Sequence, residues 1–349
     1  MESRTPIVCT LDARAPCHDH RRSHAEPSPG VPLVVSRRRI ELWAALWVVY
    51  LVWGSTYLGI KLAVRTLPPL LTAGTRFLAA AAILAAILAI ARRSLRVDRR
   101  EALAAAGLGV ALLACGVGLV HVAETRIDSG VAAMIAGSVP LQIVVWRALA
   151  GERVPRATVL AAVVGLLGLA LVVGPGGVGG GSVAVGLLVM LAASLSWSRG
   201  SFVSRRLALP GDPFVATVYE MLGGGLVLVG AGLVAGEAGQ LGTDAFQPGP
   251  VAAWAYLAVM GSVVGFSAYA WLLKHAPISQ VVTHQYVNPL VAVALGALLL
   301  GERPAPTTLA GAALIVGAVV VTARHEGRAA GAPAVESPPE PSEPERRAA

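Results

Sequence analysis

Apolar runs fill most of this chain, and each is long enough to cross about 30 Å of hydrocarbon, which takes about 20 helical residues. They fall near 41–63, 70–91, 101–121, 130–150, 157–174, 183–204, 213–236, 251–273, 279–300 and 306–323. A bilayer core offers backbone polar groups no partner, so such runs fold as helices whose hydrogen bonds close within the segment. The spacing predicts an all-α integral membrane protein of about ten transmembrane helices. A transmembrane β-barrel would alternate apolar and polar residues in short segments, a pattern absent here. The 39 Gly and the 5% aromatic residues point to helices packed through small residues, since lipid supplies no hydrophobic drive for association. Residues 1–36 and 324–349 are polar and rich in Pro, Arg and Glu, and read as disordered tails. The run after Arg37-Arg38-Arg39 is too long for a cleaved signal peptide and reads as the first span.

The net charge of +8 is not a nucleic-acid signature, because the bases form short clusters between apolar runs. Arg92, Arg93, Arg96, Arg99 and Arg100 follow span 2, Arg153 and Arg156 follow span 4, and Arg205 and Arg206 follow span 6. The intervening loops are poor in bases, so the positive-inside rule puts both termini in the cytoplasm. Cys9 and Cys17 lie in the leading tail and Cys115 in an apolar run, which gives no disulfide framework. The segment CTLDARAPCHDHRRSH, residues 9–24, mimics a metal cluster, but its spacing matches no zinc pattern. Gly174-Pro175-Gly176-Gly177 is not a phosphate loop, because no Lys-Ser/Thr follows. No metal or other cofactor is implied.

The chain also repeats itself. Shifted by 144 positions, Trp53 meets Trp197, Lys61 meets Arg205 and Arg76 meets Glu220; shifted by 150, Ser129 meets Ser279, Gly151-Glu152-Arg153 meets Gly301-Glu302-Arg303 and Thr158 meets Thr308. The two repeats cover 41–174 and 183–323, five spans each. Five is odd, so the second repeat enters the membrane from the opposite side, an inverted-topology architecture common among secondary transporters. Pro140 and Pro289 are near-equivalents in spans 4 and 9, each about ten residues from its span's start and so near the midplane. Each removes a hydrogen-bond donor and kinks its helix, and the freed carbonyl must face protein or a wet cavity.

On these residues the chain resembles the ten-helix drug/metabolite transporters built of two EamA domains. The resemblance covers roughly 41–323 and rests on WGSTYLGIK at 53–61, PPLLTAGTRFLAA at 68–80, VAETRIDSGVAAMI at 122–135, a mid-helix proline followed by GER in each half, SLSWSRGS at 194–201, YEMLGGG at 219–225 and QYVNPLVAV at 285–293. It implies gradient-driven or proton-coupled efflux of small metabolites, amino acids or drugs across the bacterial inner membrane. The 36-residue leading tail departs from the compact family pattern.

Ionisable groups inside spans are expensive, about 2.5–3.5 kcal/mol on insertion scales, and usually face a cavity or a partner. Arg76 and Glu220, at symmetry-related depths and of opposite charge, are therefore expected in the path, Arg76 on an anionic group and Glu220 on a proton or cationic group. Trp53 and Trp197, with Ser55, Thr56 and Tyr57, offer stacking and hydrogen bonds to a flat metabolite, although interhelical packing would use the same residues. His284, Gln285, Tyr286 and Asn288 put four polar groups before Pro289, too many for a lipid-facing surface, and His284 joins Glu220 as a candidate for proton coupling. Glu124, near the outer end of span 3, reads either as a gate at the outer mouth or as a solvated loop charge. Arg147 and Arg199 lie close to the cytoplasmic face and are expected to snorkel.

The resulting expectation is a secondary-active exporter working by alternating access on a small-molecule substrate, with protons as coupling ion and the bilayer as its surroundings. A channel or lipid translocator is the nearest alternative. A membrane enzyme would need paired carboxylates or a nucleophile with its base, and the spans hold no such pair, no G-x-S-x-G and no H-E-x-x-H.

Overall fold

The structure is a computed structural model and describes residues 37–173, 180–276, 281 and 283–331. All regular structure among these residues is helical. In chain order the helices are α1 (Arg37–Ala63), α2 (Pro69–Ile90), α3 (Arg99–Gly109), α4 (Leu119–Glu124), α5 (Ser129–Ala136), α6 (Val139–Leu149), α7 (Arg156–Val173), α8 (Gly180–Ser204), α9 (Pro213–Val234), α10 (Pro248–Tyr256), α11 (Gly265–His275), α12 (His284–Leu295) and α13 (Pro306–Gly331). The leading tail, the Cys/His segment, residues 174–177 and Ser279 lie outside the described residues.

Several helices are pieces of one rod. The π-wound segment Val110–Gly118 joins α3 to α4, Leu257–Val264 joins α10 to α11, and Gly296–Leu300 extends α12. Among the described residues, seven helices are long and apolar enough to cross a membrane: Ile40–Ala63, Pro69–Ile90, Arg99–Glu124, Ser129–Leu149, Gly181–Ser204, Pro213–Val234 and Pro248–Leu272. Three shorter apolar helices, Arg156–Val172, Val287–Leu300 and Pro306–Thr322, fall on the expected fifth, ninth and tenth runs. Large apolar side chains such as Leu160, Leu167, Leu188, Leu226 and Leu298 are exposed on the perimeter, where lipid tails are their natural neighbours. The last helix runs past residue 323, where a disordered tail was expected to begin, because TARHEGRAAG is rich in residues with good helix propensity.

Helix packing is symmetric under exchange of the two halves. Helix α2 packs on α9 and α7 on α13; α1 packs on α12 as α8 packs on α6; and α1 meets the α10–α11 rod as α8 meets the α3–α4 rod. Glycine makes the tightest crossings. A Cβ built on Gly109 would lie 2.0 Å from the carbonyl oxygen of Glu220, so α3 and α9 touch backbone to backbone. At the α7–α13 contact, Cβ atoms on Gly168 and Gly311 would lie 2.7 and 2.5 Å from each other's carbonyl oxygens. Small residues allow the approach, and the dispersion and Cα–H contacts it brings replace the missing hydrophobic drive.

Thermal unfolding of the purified protein in detergent tests this packing. Gly109→Ala forces a Cβ into a backbone carbonyl and is expected to destabilise by about 1–3 kcal/mol or more. Gly107→Ala, whose Cβ meets nothing within 4 Å, should leave the melting temperature unchanged or raise it slightly through helix propensity. Equal effects of the two would mean that the crossing is not close.

Candidate functional site

Two winding defects open the centre of the bundle. The span Ser129–Leu149 breaks at Gly137-Ser138, and Pro140 falls in the first turn of α6. This corrects the expectation that Pro140 kinks the helix itself: in a first turn the missing N–H has no intrahelical acceptor to lose. Pro289 does lie inside α12, and its ring packs against the break, with Cγ 2.9 Å from a Cβ built on Gly137. Neither proline can donate to the carbonyl four residues back, on Ala136 and Gln285, and both of those residues line the central cavity.

That cavity has a volume of about 120 Å³. Its wall draws on both repeats, with Trp53, Thr56, Tyr57, Arg76, Ala136 and Val139 from the first and Ala193, Ser194, Trp197, Gly261, Phe266, His284, Gln285 and Asn288 from the second. Of the residues singled out in the sequence, Trp53, Thr56, Tyr57, Arg76, Trp197, His284, Gln285 and Asn288 are thus brought together. Ser55, Pro140, Glu220 and Pro289 are not in the wall. Ser55 donates to the carbonyl of Leu51 at 2.7 Å and bonds the Tyr256 hydroxyl at 2.6 Å, and Glu220 lies where α9 crosses α3. The side chain of Tyr286 lies outside the described residues.

The tryptophans are fixed by the π-wound rods. Trp53 Nε1 donates to the carbonyl of Gly261 at 3.2 Å, and its ring meets Phe266, Tyr269 and His284 at centroid distances of 5.2, 5.0 and 5.3 Å. In the other half, Ser196, next to Trp197, donates to the carbonyl of Ala111 at 2.8 Å. Ala111 and Gly261 are repeat equivalents, 150 positions apart. Trp197 lies against Gly116, whose Cβ would be 3.1 Å from Cε3. The sequence reading missed the π winding; its trace is the small-residue series Gly107, Gly109, Gly116, Gly118 in one rod and Gly261, Gly265 in the other.

Arg76 is 3% exposed. Its Nη1 lies 3.5 Å from His121 Nε2 and its Nε has no partner. His121 is fully buried, and its Nδ1 is 2.9 Å from the carbonyl of Val117, so Nδ1 carries the proton and Nε2 accepts from Arg76. The sequence reading passed over His121, although a titratable side chain inside LVHVAE is itself a signal. His284 is arranged alike: Nδ1 lies 2.7 Å from the carbonyl of Val281, which leaves Nε2 as the acceptor. The amide nitrogen of Asn288 reaches the carbonyls of Tyr50 at 3.3 Å and His284 at 3.1 Å.

One end of the bundle is tied by charge. Glu302, of the second GER, accepts from the backbone N–H of Ser129 at 2.9 Å, its hydroxyl at 2.8 Å and the N–H of Gly130 at 3.1 Å, and so caps α5. Glu237 caps α2 through the N–H groups of Leu70 and Leu71 at 3.2 and 2.8 Å. Lys61 donates to the carbonyls of Glu124 and Ile127 at 2.8 and 2.7 Å. Glu124 is 0% exposed and its carboxylate oxygens have no hydrogen-bond partner, which corrects the reading of it as a solvated loop charge. At the other end, Glu152 of the first GER takes Arg147 at 3.0 Å and Arg206 at 3.5 Å. Arg199 lies over the rings of Trp146 and Phe202, at 5.6 and 5.8 Å.

Helix α5 gives the second test. Asp128 precedes it in the N-cap position but makes no cap bond. Desolvation, and then the Glu302 carboxylate, hold the Asp128 carboxyl above its usual range against the pull of Lys61. A raised folded-state carboxyl means that its charged form opposes folding at neutral pH, a cost that disappears as pH falls through the folded value. Glu302→Ala should destabilise the protein at pH 7 by about 0.5–2 kcal/mol, as for a lost cap, and so lower the melting temperature. Asp128→Asn should leave it unchanged or raise it. The reverse order in the same thermal assay would refute this assignment of the cap.

Residues 40–174 and 184–324 each match the EamA-like transporter family. The chain is 36% identical over 286 residues to the uncharacterized inner membrane transporter YedA of Escherichia coli K12, covering 82% of this chain and 91% of that protein. It is 25% identical over 278 residues to the uncharacterized transporter YoaV of Bacillus subtilis, covering 76% and 91%, and 24% identical over 291 residues to a chloroplastic WAT1-related protein of Arabidopsis thaliana, covering 82% and 70%. A solved crystal structure matches with a TM-score of 0.56 at 22% identity, over 83% of this chain and 99% of that one, which speaks to the fold alone.

Proposed function

Because the chain belongs to the EamA-like transporter family, a family of multi-pass membrane transporters, we propose that it is a secondary-active exporter that moves a small metabolite, amino acid or drug through the central cavity by alternating access. The observation that carries this reading is the cavity itself, walled by both repeats beside the paired defects at Gly137-Ser138 and Pro289. A ligand held there touches both halves, and rocking one half against the other exposes it to one side of the membrane and then the other. The ten apolar segments then form two inverted five-helix repeats in the inner membrane, with both termini cytoplasmic. Glu124, Glu237, Glu302 and Lys61 close the outer end in this reading, and Glu152, Arg147 and Arg206 lie at the inner end.

Protons are the coupling ion in this proposal, with His284 in the cavity wall and Glu220 on α9 as the groups that take them up. Efflux from proteoliposomes, with a panel of labelled amino acids, nucleobases and dyes, tests the reading with and without an imposed pH gradient. The expected result is gradient-driven flux that loses its gradient dependence in Glu220→Gln or His284→Gln. Gradient-independent flux in the wild type would make the protein a facilitator. Ala193→Phe, which fills the cavity from α8, should reduce flux to background while the protein stays monodisperse; undiminished flux would place the path elsewhere.

A further inference from the structure

We propose that the cavity selects organic anions, specifically a carboxylate on a flat apolar body, with the carboxylate on Arg76 and the body between Trp53, Trp197 and Phe266. This rests on the reading of the cavity as the transport path. The argument begins with the charges in the wall. Among the described residues of the wall Arg76 is the one guanidinium, and none is Asp or Glu. Glu220, the repeat equivalent of Arg76 and the expected counter-charge, is not in the wall, and its backbone meets α3 at Gly109. The polar groups that share the wall, on Tyr57, Ser194, Gln285, Asn288 and His284, are neutral at neutral pH or carry no negative charge. A cationic amine finds ring faces here but, among the described residues, no carboxylate to pair with. An anion has a buried guanidinium.

The geometry of Arg76 gives the second strand. A guanidinium has five donors, and this one is 3% exposed, with Nη1 on a neutral imidazole at 3.5 Å, no partner on Nε and no carboxylate within ion-pair distance among the described residues. Its Cζ also lies 4.6 Å from the Phe77 ring centroid, so its neighbours are neutral and supply no counter-charge; an incoming carboxylate would offset its burial with two parallel N–H···O bonds. His121 holds the guanidinium without neutralising it. Its Nδ1 proton is committed to the carbonyl of Val117, so the ring presents only a lone pair to Arg76 and leaves the positive charge for the ligand. The apolar remainder of the wall, with three aromatic rings, suits a planar body by stacking.

Binding and flux together test the proposal on the full-length protein in nanodiscs and proteoliposomes. The probes are 1-naphthoate, the isosteric 1-naphthamide and the amine 1-naphthylmethylamine, followed by calorimetry, with tritiated forms for flux. Naphthoate is expected to bind, with the amide and amine at least about tenfold weaker, a difference of about 1.4 kcal/mol. Arg76→Gln should abolish that preference, and Arg76→Lys, which keeps the charge but not the fork, should retain part of it. No naphthoate binding at millimolar concentration, an amine that binds as tightly as naphthoate, or an Arg76→Gln protein that binds naphthoate like the wild type would each overturn it. Should Arg76→Gln fail to fold, the wild-type ranking of the three probes and the Arg76→Lys protein still decide. Flux separates the two readings. Naphthoate bound at Arg76 but never moved would leave the anion site standing and sink the transport path; amines carried while naphthoate is neither bound nor carried would do the reverse.

Discussion

A backbone carbonyl inside a bilayer must find a donor within the protein, and the centre of this bundle is organised around that demand. Where the α3–α4 and α10–α11 rods change to π winding, the carbonyls of Ala111 and Gly261 take side-chain donors from the opposite half, Ser196 and Trp53. These bonds connect the first helix of each repeat to the third helix of the other. They fix the approach of α1 and α8 and hold the Trp53 indole on the cavity wall. The defects at Gly137-Ser138 and Pro289 follow the same logic: Ala136, at the end of α5 before the break, and Gln285, whose carbonyl loses the donor Pro289 lacks, both line the cavity.

Around this centre the protein separates its charges by task. The carboxylates that remain well bonded, Glu237 and Glu302, serve backbone N–H groups at the starts of α2 and α5, where the helix dipole favours a negative charge. Each comes from the second repeat and caps a helix of the first, so the caps also tie the halves together. Inside the cavity the balance is opposite, a guanidinium with an imidazole and the Phe77 ring beside it and no carboxylate among the described residues. Glycine governs the distance between these regions. At Gly109 and at Gly168–Gly311 backbones meet without intervening side chains, which keeps the bundle narrow enough for both repeats to line one cavity.

Much of this was legible in the sequence. The apolar runs gave the helices, because twenty such residues have no stable alternative in lipid. The internal offset paired Trp53 with Trp197 before any contact was known, and the same spacing of 150 relates Ala111 to Gly261. Polar residues stranded in apolar runs, Arg76, His284, Gln285 and Asn288, do line the cavity, since the cost of burying them in lipid leaves few other places. Glu220 met the same criterion but lies off the wall, because depth along a helix says nothing about rotation around it. His121 met it too and was passed over.

The sequence by itself determined the helical class, the two repeats and the set of polar residues that had to be kept from lipid, because each follows from hydropathy and spacing along one dimension. Only the tertiary structure decided which of them share a wall. Arg76 faces the cavity while Glu220 lies at a helix crossing, Glu302 reaches from one repeat to cap a helix of the other, and Pro140 starts a helix where it was expected to bend one. Each of these turns on helix rotation and on close approach at glycines. Such geometry is set by contacts between segments far apart in the chain, and residue order alone does not encode it locally.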